Sequence, residues 1–154
     1  MFTIRPAVVC LLAVSVLSVL GCQTVSQDPL IIKYEKLVQE NPNSAEKTLA
    51  LGALYVRAER YGHARDTLKA GRRLWDRKSH SGSADKLIDK SSESLIEVLD
   101  AGLAKGIYSY DTSGNSMAAR IARMVAENTK AKSNALLSAI SKKTGEQFPP
   151  PEQQ

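Results

Sequence analysis

From Leu30 onward the apolar residues of this chain recur three and four positions apart, the spacing that lines one face of an α-helix. Alternating β-branched runs are absent and aromatic residues make up only 5% of the chain, so the material of half-buried strands is missing. The expected fold class is all-α, a short antiparallel helical array. Residues 22–154 suffice for one domain and are too few for two.

The pattern gives five helices. Leu30, Ile31, Tyr34, Leu37 and Val38 share one face of a first helix, which Asn41-Pro42 closes. A second begins near Ser44, an N-cap before "AEKTLALGALYVRAE", and brings Leu51, Leu54 and Tyr55 together. Arg60-Tyr61-Gly62 ends it, and a third helix is expected over 63–75, with the loop "KSHSGSA" after it. A fourth, over 85–105, aligns Leu87, Ile88, Leu95, Leu99 and Leu103 ahead of a stop at Gly106. After the irregular "IYSYDTSGNS", a final helix over 116–143 stacks Met117, Ile121, Met124, Val125, Leu136, Leu137 and Ile140. Its middle, "ENTKAKSN", is polar nearly all round, which predicts a bend or a protrusion beyond the core. Residues 146–154, "EQFPPPEQQ", have no period and three consecutive prolines, so a disordered tail is expected.

Within helices two and three the order Leu51-Gly52, Tyr55, Tyr61, Ala64, Leu68, Gly71 resembles the tetratricopeptide repeat. The spacing has a packing rationale. Small residues at Gly52, Ala64 and Gly71 let two antiparallel helices approach closely, while Tyr55 and Leu68 fill the space beside them. "YEKLVQENPNSAE" is similar to the last half of a preceding repeat, ending at Pro42. Thr48 departs from the pattern, as does Asp76, and nothing after Lys78 repeats it. The resemblance thus covers about one and a half repeats, whereas a solenoid normally needs about three to stand alone. The fourth and final helices are therefore expected to cap the unit within a domain spanning 30–145.

The first 21 residues point elsewhere. Arg5 precedes an uncharged apolar run over 7–20, fourteen residues long, the length of a signal-peptide core and short of the roughly 20 residues that span about 30 Å of hydrocarbon. The run ends in Val19-Leu20-Gly21-Cys22, which resembles the bacterial lipoprotein signal. That resemblance implies cleavage after residue 21 and acylation of Cys22, with residues 22–29 as a lipidated tether. Acyl chains at about 0.8 kcal/mol per buried CH₂ would hold such a protein on its membrane. Loss of Arg5 from 21 basic residues, set against 16 acidic ones, takes the formal charge from +5 to +4. Gln23, in place of an inner-membrane retention Asp, implies the outer membrane of an enteric-type envelope, facing the periplasm.

Catalytic chemistry finds no foothold in the sequence. His63 and His80 have no acids or thiols at metal-ligand spacing, and both read as solvated. Ser109, Ser113 and Ser116 lie near Tyr108, Tyr110 and Asp111, but without a nucleophile elbow; they read as a helix-capping segment. No enzyme activity, cofactor, metal, small-molecule substrate or nucleic acid is expected. Two surfaces are candidates for partners. Leu49, Ala53, Val56 and Arg57 fall where the repeat family presents its concave groove, and imply an apolar ligand surface in place of a carboxylate clamp; alternatively Leu49 and Val56 pack against helix one. Arg65, Lys69, Arg72, Arg73 and Arg77 make a basic stripe on helix three, either a solvated face or a surface for anionic headgroups at about 1 kcal/mol per charge. The preferred reading is a lipid-anchored envelope adaptor that binds a protein or peptide. The alternative is a small structural or stress lipoprotein that acts through its lipid and basic face.

Overall fold

The computed structural model describes residues 28–150, in which the chain forms α1 (Pro29–Glu40), α2 (Ala45–Arg57), α3 (Tyr61–Trp75), α4 (Ser83–Ala104) and α5 (Met117–Thr144). A short 3-10 turn occupies Ile107–Ser109, and no strand occurs among the described residues. The protein is an all-α array.

Three of the five helices, α1, α2 and α5, start where the sequence supplies a side-chain partner for the free amides of the first turn. Asp28 accepts from the Leu30 amide at 2.8 Å with Pro29 at the first helical position, so residues 28 and 29 open α1 and do not belong to the tether. Ser44 accepts from the Lys47 amide at 3.4 Å, and Ser116 from the Ala119 amide at 3.1 Å. Between α2 and α3 the chain turns faster than expected. The Arg60 amide donates to the Tyr55 carbonyl at 2.9 Å and the Glu59 amide to the Val56 carbonyl at 3.0 Å, with Glu59 left-handed at φ 60°. Helix α3 therefore begins at Tyr61, two residues before the expected start, and Gly62 lies inside it.

Nine of the thirteen residues of α2 are buried, so this helix needs cover on several sides. It receives that cover from α1, α3 and α5. Helix α3 packs on α2 and α4, α4 on α5, and α5 returns onto α2, which closes a ring of four helices with α1 laid against α2. Close approach in the α2–α3 hairpin depends on two glycines. A Cβ at Gly52 would stand 2.6 Å from Leu68 Cγ, and one at Gly71 would stand 3.0 Å from the Leu49 backbone nitrogen. Ala64 is fully buried in the same core.

At one end of the ring all four helices meet. Trp75 of α3 is 1% exposed and stacks on His80 with ring centroids 3.6 Å apart. Lys143 of α5 lies 4.5 Å from the Trp75 ring centre and bridges Glu46 of α2 at 3.1 Å and Asp85 of α4 at 2.8 Å. Burial opposes charge on Glu46, but its backbone hydrogen bond and Lys143 outweigh that, holding its pKa below the ordinary value. Burial also works against the Lys143 ammonium, and the two carboxylates reverse the effect and raise its pKa. His80, read as solvated, is instead half-buried under the indole, with Nε2 2.8 Å from the Trp75 carbonyl.

The last helix corrects the sequence reading most. Met117, Ile121 and Met124 are 69%, 42% and 63% exposed, whereas Ala119, Ala122, Thr129 and Ser133 face inward. The reason is close packing: the 3-10 turn and α4 lie against the small side of α5, which leaves the large side outside. Leu87 on α4 points outward in the same way. The polar stretch "ENTKAKSN" neither interrupts α5 nor leaves the core, because its inward hydroxyls are satisfied locally. Thr129 donates to the Val125 carbonyl at 2.7 Å and meets the Tyr108 hydroxyl at 2.8 Å; Ser133 donates to the Lys130 carbonyl at 2.8 Å.

Candidate functional site

Leu49, Ala53 and Val56, the proposed apolar groove, are all fully buried in the central core. They correct the expectation of an open ligand surface: α5 covers the side of α2 that an open repeat array would expose. Arg57, at the end of α2, is the one member of that set left at the surface, and it is occupied. Its Nε donates to Asn134 Oδ1 of α5 at 2.9 Å, Nη1 to the Pro149 carbonyl at 3.0 Å and Nη2 to the Phe148 carbonyl at 3.4 Å. Burial lowers the guanidinium pKa, an effect that nearby Asp28 opposes.

The segment that Arg57 holds is the chain's own C-terminal stretch, expected to be disordered. Prolines keep residues 146–150 out of a helix, but the segment is seated. Phe148 packs on the core with its ring centroid 5.5 Å from that of Tyr34, and the Tyr34 hydroxyl donates to Glu146. Burial, with Glu146 adding to it, pushes the Tyr34 phenol far above its ordinary pKa. A cleft of about 370 Å³ lined by Arg57, Lys130, Asn134 and Pro150 continues beyond the segment. The seat is thus an aromatic anchor beside a guanidinium that reads main-chain carbonyls, an arrangement suited to an extended peptide rather than to one side-chain sequence. Sequence reasoning found Arg57 and missed Tyr34, Asn134 and Phe148. The available signal was the lone aromatic preceding the proline run in an otherwise polar tail.

The basic stripe is largely neutralised within the chain. Arg65 pairs with Asp66 at 2.8 Å, Lys69 with Asp100 at 2.8 Å, and Arg72 with Asp76 at 2.9 Å and Asp89 at 2.7 Å. Arg72 also donates to the Asp89 carbonyl and to Ser92 Oγ. Arg73 and Arg77 are exposed and make no ion pair among the described residues. Asp89, Glu93, Glu97 and Asp100 recur at helical spacing on α4, an acidic face that the fold lays beside the basic stripe of α3. The groove of about 450 Å³ between the two helices is consequently of mixed charge, lined by Lys69, Arg72, Arg73, Glu93, Ile96 and Glu97.

Around the last loop, Asp111 Oδ1 accepts from the Ser113 amide at 2.9 Å and hydroxyl at 2.7 Å, bonds that hold its carboxyl below the ordinary range, while Ser116 caps α5. This is turn chemistry. No group of three His, Cys, Asp or Glu that could hold a metal occurs among the described residues, and no helix there is long and apolar enough to cross a membrane. Cys22 lies outside the described residues. Comparison with protein-family models, with curated proteins and with solved structures found no match.

Proposed function

We propose that this chain is a lipid-anchored adaptor of a bacterial cell envelope, attached through acylated Cys22 after removal of residues 1–21, with a tetratricopeptide-like hairpin in α2–α3. It binds an extended segment of an envelope protein and assists assembly of an envelope or secretion complex at the periplasmic face of the outer membrane. The lipoprotein-like run into Val19-Leu20-Gly21-Cys22 supports the anchor, and the glycine contacts of Gly52 and Gly71 support the hairpin. The observation that carries the binding function is the seat itself, where Arg57 takes two consecutive main-chain carbonyls of an extended, proline-containing segment beside the Tyr34 ring. Recognition through the backbone suits an adaptor, because it accepts different side chains. The alternative, action through a basic face, is disfavoured by the acids that occupy Arg65, Lys69 and Arg72.

A photo-crosslinking residue in place of Asn134, in the full chain in its native envelope, tests the reading. A discrete protein adduct is expected, and its yield should rise when the chain is stopped after Gly145 and fall with Arg57→Glu. Adducts to lipid alone would overturn it.

A further inference from the structure

We infer that the N-terminal half of α5 is a self-association surface, and that its occupant is the same surface of a second copy of this chain, laid antiparallel across a two-fold axis. Met117, Ile121, Met124, Asn128, Ala131 and Ala135 are separated alternately by four and three residues, and all six are exposed. They form a heptad stripe along the outer side of α5, the pattern with which one helix packs against another. Its apolar end carries three of the six large apolar side chains that stand exposed among the described residues.

Charge selects the occupant. Arg120 and Glu127 border the stripe on one side, one heptad apart, and neither side chain has a hydrogen bond or ion pair among the described residues. In an antiparallel pair, Ile121 of one copy lies over Met124 of the other, Met117 over Asn128, and Arg120 comes opposite Glu127 twice. The surface is therefore complementary to itself, as a two-fold contact requires. A parallel pair would bring Arg120 opposite Val125 and leave it without an acidic counterpart, and Asn128 placed in the seam favours a single register. An anionic membrane fits less well, because Glu127 stands at the rim and Arg123 is turned aside to the carbonyls of Thr112 and Gly114 at 2.8 and 3.1 Å.

Sedimentation velocity of the full chain in a neutral detergent tests this. A reversible dimer is expected, with Ile121→Asp leaving monomer only. Arg120→Glu and Glu127→Arg should each weaken the dimer by about tenfold or more through like-charge contact, and the double swap should restore it. These positions are exposed, so circular dichroism should report the same helix content throughout. A wild-type chain that stays monomeric, or a dimer indifferent to Ile121→Asp, overturns the proposal. So does a monomer that binds phosphatidylglycerol vesicles through Ile121, which would assign the stripe to the membrane.

Discussion

The two halves of α5 have similar apolar content and opposite fates. Toward the C-terminus, Leu136, Leu137 and Ile140 are buried against the ring, and Lys143 is held by two carboxylates beside Trp75. Toward the N-terminus, Met117, Ile121 and Met124 face outward while Ala119 and Ala122 make the contacts. A helical period identifies a face, but the neighbours decide whether that face is the inside. Where the neighbours approach closely, the small residues are selected for the interior.

The largest effect that would break this contrast is expected at the buried end. Trp75→Ala should cost about 3 to 5 kcal/mol, whereas Met124→Ala, measured in dilute solution, should stay within about 0.5 kcal/mol. Thermal melts of the two side by side decide the point, and similar losses would mean that the outward half is also core.

Next in size is the α2–α3 seam. Ala64→Leu overpacks a fully buried position and should cost about 1 to 3 kcal/mol. Its exposed neighbour His63→Leu should change the melting temperature little. Equal small effects would show that Ala64 is not part of a close contact.

A smaller and graded effect is expected from alkali. Burial first, with nearby carboxylates adding to it, pushes Tyr55 and Tyr61 up to about 12 from an ordinary 10.0, and raises Tyr34 further. A folded pKa above the unfolded one means that the neutral phenols contribute stability in full below about pH 10, and lose it as pH rises toward 12. Chemical denaturation at pH 9 and at pH 11.5 should show this fall, with phenolate absorbance delayed until the chain opens. Tyrosines that ionise freely in the folded chain would contradict the packing of α1 and α3.

The smallest change belongs to the α2–α3 turn, where Glu59 holds φ 60° and its carboxylate meets Lys130 at 2.6 Å on the surface. Gly removes the left-handed strain of about 1 kcal/mol and forfeits a surface pair worth somewhat less. Glu59→Gly should therefore raise the melting temperature slightly, if at all, and a marked fall would show that the ion pair secures the turn to α5.

Two helix starts and two helix ends were legible because they rest on local chemistry: Ser44 caps α2 and Ser116 caps α5, and Gly106 and Gly145 take the left-handed turns after α4 and α5. The Gly52 and Gly71 contacts were legible too, since small residues at that spacing have few uses other than close approach. The long-range arrangement could not be read. That α5 returns onto α2, removing Leu49, Ala53 and Val56 from the surface, results from the closing of the ring and from no local pattern. The pairing of Lys69 and Arg72 with Asp100 and Asp89 likewise depends on which helix comes to lie beside α3. The seating of Phe148 joins residues more than 110 positions apart in sequence, as its neighbour Glu146 does in meeting Tyr34.

The proposed place of action rests on Cys22, and one measurement tests it. Cells expressing the full chain or its Cys22→Ser variant are fed a labelled fatty acid, and the protein is recovered by immunoprecipitation. The account predicts label on the wild-type chain at the size of the cleaved form, and an unlabelled, uncut precursor for the variant, because the thiol is the nucleophile that accepts the lipid. Label retained by the Ser variant, or none on the wild-type chain, would contradict a lipid-anchored adaptor.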